Sequence, residues 1–466
     1  MSKQRQSTIS PVDGSVYIER DYATDSEIAA TLENAREAQQ SWAALPLEQR
    51  ARICHAATDA FVANKARHAE ELAWQIGRPV SAGGGEVGGF EERARYMIDI
   101  AADTLQPIDV GEKEGFVRYI KREPLGVVLT IAPWNFPYMT AVNSVVPALM
   151  AGNAVILKHA AQTPLCAERM VEAFREAGLP EGVFQFLHLT HESAARVIRS
   201  PEVEYVAFTG SVPAGEKIEQ AAVGRFIGVG LELGGKDPAY VRPDADIEYA
   251  VAGLADGAFF NSGQSCCGIE RIYVHSDVYD RFVEGLVELT RQYRLGNPLD
   301  EDTTLGPVVK TAAAEFIRGQ VAEAVSQGAR ALIDPAEFPA DREGTPYLAP
   351  QVLVDVDHSM RVMTEETFGP VVGIMKVDSD EQAIELMNDS EFGLTASVWT
   401  SDLDAAESIG NRVDTGTFFM NRCDYLDPAL AWTGVKHSGR GCTLSRVGYE
   451  SLTRPKSFHL KTGVGG

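Results

Sequence analysis

Apolar positions along the chain fall into two regimes. Over Ser26–Gln40 and Leu47–Ile76 they recur every three or four residues, the spacing at which side chains share one face of an α-helix. From Gly126 the pattern changes. GVVLTIAP, NAVILKHA, VFQFLHL and YVAFTG are short apolar runs rich in Val, Ile and Phe, separated by helix-like stretches such as Thr163–Ala177 and Pro213–Val223. Parallel strands buried on both faces give such runs, with helices as crossovers, so an α/β unit is expected here. Gly178, with Pro180 two residues on, marks the end of the helix over Thr163–Ala177. After LELGGKDP the alternation resumes, with helices over Ile247–Phe260 and Val278–Arg291 and strands at RIYVH, VVGIMKV, TASVWT and TGTFFMN. A second α/β unit is expected there.

Two β-prone segments stand apart, FVRYIKREP at Phe116–Pro124 and RPKSFHLK at Arg454–Lys461. Each is flanked by charge and reads as an exposed strand in need of a partner, so the two are expected to pair across subunits. The Gly-rich SAGGGEVGGF reads as a local loop. No internal repeat, low-complexity tract or Gly/Ser linker interrupts the chain.

Composition narrows the function. A chain of 466 residues suggests two or three domains at roughly 150 residues each, and 45% hydrophobic with 23% charged residues is ordinary for a soluble globular protein. A formal charge of -24 argues against nucleic acid and anionic membrane surfaces as partners. MSKQRQSTIS lacks the apolar core of a signal peptide, and no apolar run approaches a membrane span. The six cysteines, Cys54, Cys166, Cys266, Cys267, Cys423 and Cys442, are scattered and are expected to be reduced thiols. A cytoplasmic enzyme fits these features.

Four short constellations carry candidate chemistry. NSGQSCCGIER sets Cys266 and Cys267 behind a Gly-Gln turn whose small neighbours Gly263 and Ser265 let a substrate approach, as a catalytic thiol requires. A buried structural cysteine is the alternative, and no Cys or His pair at zinc spacing stands nearby, so no metal is expected. In LELGGKDP, Glu232 ends an apolar run beside Gly234 and Gly235, where a general base or a solvated loop acid would sit. In APWNFP, two prolines fix the backbone around Asn135, whose amide would face an oxyanion or cap the following helix. In FTGSVPAG, Gly210 and Gly215 flank a helix start suited to an anion, without the G-x-G-x-x-G fingerprint of dinucleotide sites.

Taken together, PWNFP, FTGS, ELGGK, FNSGQSC and EETFGPV occur in the order found in the aldehyde dehydrogenase superfamily, which this chain resembles from about REPLGV to SGRG. The resemblance implies an α/β fold of two parallel α/β domains plus a small β oligomerisation domain. The dinucleotide-binding domain would comprise residues 1–106 and 125–234, the catalytic domain 235–440, and the oligomerisation strands 107–124 and 441–466. It further implies that Cys266 is the nucleophile, with Cys267 its neighbour, that Asn135 and the Cys266 N–H hold the oxyanion, and that Glu232 activates water. Lys158 and Glu366 would bind the two riboses of NAD or NADP, Phe368 would lie beside the nicotinamide end, and Trp134, Gly210, Ser211 and Gly215 would complete the cofactor site. The implied reaction is oxidation of a small aldehyde to its carboxylic acid through a thiohemiacetal and a thioester, in a homo-oligomer, dimer or tetramer.

Two departures qualify this. KHAAQTP places Ala161 where many NAD-selective relatives carry an acid, which leads us to expect use of both cofactors. AWTG at Ala431–Gly434 replaces the family's PFGG, which bears on the substrate mouth. Asp424 or Arg422 would meet an amino-aldehyde or a carboxylated semialdehyde, respectively. The competing readings are a CoA-acylating semialdehyde dehydrogenase, a cysteine hydrolase using His159 or His275, and a non-catalytic protein that keeps the fold.

Overall fold

The computed structural model describes residues 4–462. Its first large sheet has six strands in the order Gly439–Arg440, Gly228–Glu232, Val203–Thr209, Val127–Ala132, Ala154–His159 and Phe184–Phe186. All neighbours run parallel except the first pair. Val127–Ala132 and Ala154–His159 are buried at every position. Their two-residue period sends Val128, Val155 and Leu157 into one core and Val127, Leu129, Ile131 and Ile156 into another, so both faces are covered. Each such buried aliphatic contributes about 1.5–3 kcal/mol, which is why these strands read as unbroken apolar runs.

The second large sheet has seven strands, in the order Arg330–Ala331, Gln351–Val354, Val371–Val377, Ile269–His275, Asp237–Val241, Thr395–Trp399 and Thr417–Met420. Only its first pair is antiparallel. The expected mixed α/β architecture with parallel sheets is therefore the one observed. Most helices follow the sequence reading. Asp25–Ala44 starts at a capping box between Thr24 and Glu27, and Gly178 takes the left-handed conformation, φ +83, just beyond Pro164–Glu176. The helical spacing over Leu47–Ile76 is realised as two helices, Leu47–Ala63 and Lys65–Ile76, that meet at Asn64.

Two expectations fail. SAGGGEVGGF is not a loop but the first half of the helix Val80–Asp99. Glycine normally weakens a helix by about 1 kcal/mol. Here it permits contact: a Cβ on Gly83 would lie 2.7 Å from that of Ala69, and one on Gly89 would lie 2.1 Å from the Met139 sulfur. Close packing against the helices Lys65–Ile76 and Pro137–Ala151 offsets the lost propensity.

The other correction concerns the orphan strands. Thr453–Lys461 pairs antiparallel with Phe116–Pro124 within the same chain, from Thr453 opposite Pro124 to Lys461 opposite Phe116, and not across subunits. Matched length and aromatic contacts explain the choice, since the Tyr119 and Phe458 rings stack at 4.7 Å. Ile108–Asp109 covers the other edge of Phe116–Pro124, leaving Thr453–Lys461 with one free edge. Among the described residues no helix is long and apolar enough to cross a membrane.

Candidate active site

Three strands of the six-stranded sheet deliver candidate residues at their C-terminal ends, the edge at which parallel α/β sheets bind ligands. Val127–Ala132 leads into Trp134 and Asn135, Val203–Thr209 into Gly210 and Ser211, and Gly228–Glu232 ends on Glu232 itself. Cys266 arrives from the other sheet, on the loop preceding Ile269–His275.

That loop is wound in an unusual way. Asn261, Ser262 and Gly263 all have left-handed backbone, φ 52, 57 and 68. Such a run costs energy in non-glycine residues and persists only where surroundings over-determine it. Here they do. Ser262 Oγ donates to the Gly306 carbonyl at 2.8 Å, Gln264 Oε1 accepts from Val309 N at 2.7 Å, and Asn261 Nδ2 donates to the Asn135 carbonyl at 3.1 Å. A Cβ on Gly263 would meet the Gly369 carbonyl oxygen at 2.1 Å, so only glycine fits.

The turn separates the two cysteines. Cys267 is buried among core residues, and its S–H donates to Asp424 Oδ1 at 2.9 Å, which also accepts from Ser265 Oγ at 2.9 Å. A hydrogen bond with Cys266, burial and the Asp424 charge push the Cys267 thiol well up, so it stays protonated. Cys266 is half-buried and lines two adjoining cavities. Asn135 does not cap the helix Pro137–Ala151. Its Nδ2 donates to the Gln264 carbonyl at 3.1 Å, which fixes the amide beside the cysteine loop. Arg78 ties the two loops together, donating to the Asn135 carbonyl at 2.5 Å and to Asn261 Oδ1 at 3.0 Å while paired with the wholly buried Glu86. Glu86 in turn accepts from the Tyr138 and Met139 N–H groups at the start of the helix Pro137–Ala151.

One cavity, of about 250 Å³, joins Cys266 to Glu232 among Phe136, Met139, Phe260 and Trp432. Both Glu232 oxygens are engaged, Oε2 by Thr209 Oγ1 at 2.9 Å and Oε1 by Thr443 Oγ1 at 2.5 Å. Burial raises the Glu232 pKa, and the two hydroxyls oppose that shift by donating to the charged form. The other cavity, of about 200 Å³, brings together Trp134, Asn135, Gly210, Ser211, Cys266, Glu366 and Phe368. Trp134 and Phe368 meet edge to face at 5.6 Å.

The second cavity and its rim fit a dinucleotide. Glu366 holds one oxygen on the Gly235 N–H at 3.0 Å, and burial with the nearby Glu270 charge pushes it up to about 8. Ser211 stands at the start of the helix Val212–Ala222 and makes no side-chain cap bond, leaving that terminus open to an anion. Lys158 is buried without an ion pair among the described residues, and burial, which disfavours the charged form, brings it down to about 8. Lys158 and Gly215 line neither cavity. Gly215 instead lets its helix approach Leu233, whose Cδ2 would lie 2.8 Å from an added Cβ.

A family model described as "Aldehyde dehydrogenase family" matches residues 1–458. The chain belongs to the aldehyde dehydrogenase family. Its curated relatives include "Succinate-semialdehyde dehydrogenase [NADP(+)] 1" of Mycobacterium bovis, 33% identical over 97% of this chain and 99% of that protein. Among solved structures, succinic semialdehyde dehydrogenase from Streptococcus pyogenes in complex with NADP+ is 29% identical, with a TM-score of 0.93 over 98% of this chain and all 100% of the other. PnpE in complex with nicotinamide adenine dinucleotide is 30% identical, with a TM-score of 0.94 over 99% of this chain and 94% of the other. This aldehyde dehydrogenase is accordingly an NAD(P)-dependent oxidoreductase that converts an aldehyde to its acid.

In this aldehyde dehydrogenase no histidine among the described residues lines either cavity at Cys266. His159 is buried, held by Thr163 Oγ1 and the Pro137 carbonyl, and driven by burial down to about 3, so it cannot activate the thiol. Of the two proposed substrate contacts, Asp424 does line the cavity, whereas Arg422 is exposed and stacks on Tyr425 at 3.5 Å. Arg78, Glu86, Arg93, Thr209 and Thr443 escaped the sequence reading. Had SAGGGEVGGF been read as a helix, the four-residue steps from Gly85 to Gly89 to Arg93 would have put Arg93 on one face.

Proposed function

We propose that Cys266 is the nucleophile, Asn135 the oxyanion donor and Glu232 the water-activating base of this aldehyde oxidation. The observation that carries this reading is the position of Cys266 where two cavities meet, one lined by Glu232 and the other by Asn135, Glu366 and Phe368. The Cys266 thiolate attacks the aldehyde carbon, and the carbonyl oxygen becomes an oxyanion held by the Asn135 amide and the Cys266 N–H. Bound NAD or NADP supplies the hydride acceptor. Glu232 takes a proton from water, which attacks the Cys266 thioester and releases the acid. Lys158, Glu366, Trp134, Phe368, Gly210 and Ser211 would hold the dinucleotide, while Gly215 acts through helix packing. The six-stranded sheet with its helices would be the dinucleotide-binding domain and the seven-stranded sheet the catalytic domain.

Purified protein should form NAD(P)H and carboxylic acid in equal amounts from one or more members of a panel of small aldehydes. The relatives' names put a semialdehyde on that panel. No turnover with any aldehyde and either cofactor overturns the reading. Asn135→Ala should lower kcat by roughly 10²–10³, the usual cost of one oxyanion donor. A change under about threefold would leave Asn135 only its bond to Gln264.

Cofactor use follows from Ala161. It is exposed just beyond the strand Ala154–His159, its carbonyl held by Thr8 Oγ1 at 3.0 Å, and it offers no carboxylate to repel a 2′-phosphate. We expect kcat/KM for NAD and NADP to agree within about a hundredfold, or roughly 2.7 kcal/mol. Ala161→Glu should shift the ratio toward NAD by weakening NADP. A wild-type preference beyond about a thousandfold would assign the choice to other residues.

The protein is expected to be a cytoplasmic homo-oligomer, dimer or tetramer. Thr453–Lys461 has a free edge, and Val117, Leu460 and Ile108 on the three-stranded sheet are 49%, 48% and 43% exposed. Val117→Lys with Leu460→Glu should lower the mass seen by light scattering. An unchanged mass would move the interface elsewhere.

A further inference from the structure

We infer that Arg93 is an anion subsite in the wall of the Cys266 cavity, selecting aldehydes whose other end carries a carboxylate. This rests on the reading of Cys266 as the nucleophile. Arg93 projects from the helix Val80–Asp99, from the same face as Gly85 and Gly89, and all three line the cavity opposite Thr140 and Asn143 of the helix Pro137–Ala151. It is only 7% exposed. A guanidinium withdrawn from water is costly unless a counter-charge or a full set of acceptors meets it.

Arg93 has neither. Its Nη1 donates to the Met139 carbonyl at 2.6 Å and weakly to Asn143 Oδ1 at 3.4 Å, and it forms no ion pair among the described residues. Other buried arginines are served better. Arg78 is paired with Glu86, Arg50 donates to three carbonyls, and Arg271 uses Nε and both Nη groups. Among the described residues Nε and Nη2 of Arg93 have no hydrogen-bond partner, and neither is sealed from solvent, so they open onto the cavity it lines.

The acids in the same wall are already engaged. Glu92 accepts from the Tyr425 hydroxyl, Glu232 from Thr209 and Thr443, and Asp424 from Ser265 and Cys267. These acids bond hydroxyl and thiol donors and not Arg93, so the guanidinium meets no carboxylate in direct contact among the described residues. Phe136, Met139, Phe260, Leu426 and Trp432 supply an apolar lining for the carbons between the two ends. At about 250 Å³ the cavity falls below the roughly 300–1,000 Å³ of drug-sized sites, which favours a short spacer.

The test compares 4-oxobutanoate with butanal, which have equal carbon counts and differ in the terminal carboxylate. Wild type should favour 4-oxobutanoate in kcat/KM by about 10–100-fold, the effect of one charge-assisted contact. Arg93→Gln should bring that ratio to within about threefold, and Arg93→Lys should retain part of it. A measurement on the wild type alone guards against misfolded variants: succinate should protect Cys266 from thiol alkylation at concentrations at least tenfold below those of butanoate. Equal or better use of butanal, a ratio unmoved in Arg93→Gln, or equal protection by the two acids overturns the subsite and leaves aldehyde oxidation standing. Failure to oxidise any aldehyde overturns both.

Discussion

Cys266→Ala is expected to lower aldehyde-dependent NAD(P)H formation by at least about 10⁴-fold, because in the proposed mechanism this sulfur makes the bond to substrate and no neighbouring group would replace it. Cys267→Ala should retain most of the activity. The two residues are adjacent in sequence but differ in surroundings: Cys266 faces both cavities, whereas Cys267 is 3% exposed with its S–H on Asp424. Removing the Cys267 sulfur leaves a small void and takes one of two donors from Asp424 Oδ1, which keeps its bond from Ser265, so the loss is one of stability before it is one of chemistry. The check is turnover of both variants beside wild type, with circular dichroism confirming folding. Comparable losses in the two folded variants would sink the assignment of Cys266.

The double cysteine therefore joins two roles in one turn. Asn261 to Gly263, wound left-handed, present one sulfur to the cavities and leave the next in the core. Arg78, paired with Glu86, connects this turn to the Asn135 loop by donating to Asn261 Oδ1 and to the Asn135 carbonyl, so Cys266 and Asn135 are positioned by one buried ion pair. That pair arises from the segment around the helix Val80–Asp99, far from either loop in sequence.

This distribution explains what was legible in the sequence. Buried parallel strands such as Val127–Ala132 announce themselves because both faces need apolar residues, and the residues at their C-terminal ends inherit a position at the ligand edge. Cys266, Glu232 and Asn135 lie in short motifs with local signatures. Arg93, Arg78 and Thr443 do not, because their importance depends on contacts across 50 to 211 positions of chain. Gly83 and Gly89 misled for a related reason: glycine's usual meaning is a loop, and its use for close helix packing depends on Ala69 and Met139. The pairing of Phe116–Pro124 with Thr453–Lys461 could be read as two strands in need of cover, but only the folded chain brings the second within reach of the first.

Glu232→Gln should divide the reaction in two. Acylation uses the Cys266 thiol and the cofactor, so a rapid NAD(P)H burst of about one equivalent per active site should survive, while steady turnover falls by roughly 10²–10⁴ for lack of a base. The pH dependence follows the same logic. In the proposed role Glu232 works as the carboxylate, and burial raises its pKa, so steady turnover should be lost as pH falls through a value above the ordinary carboxyl range. Thr443 Oγ1, 2.5 Å from Oε1, stabilises the charged form and lowers that value. Thr443→Val removes this donor and should therefore move the acid limb of steady turnover upward, leaving the burst at neutral pH in place. Rapid-mixing burst measurements beside steady-state pH profiles separate the two halves. Unchanged steady turnover in Glu232→Gln would remove Glu232 from deacylation. Strong stimulation of the wild type by CoA, with acyl-CoA as the product, would instead make a thiol, rather than water, the acceptor of the Cys266 acyl group.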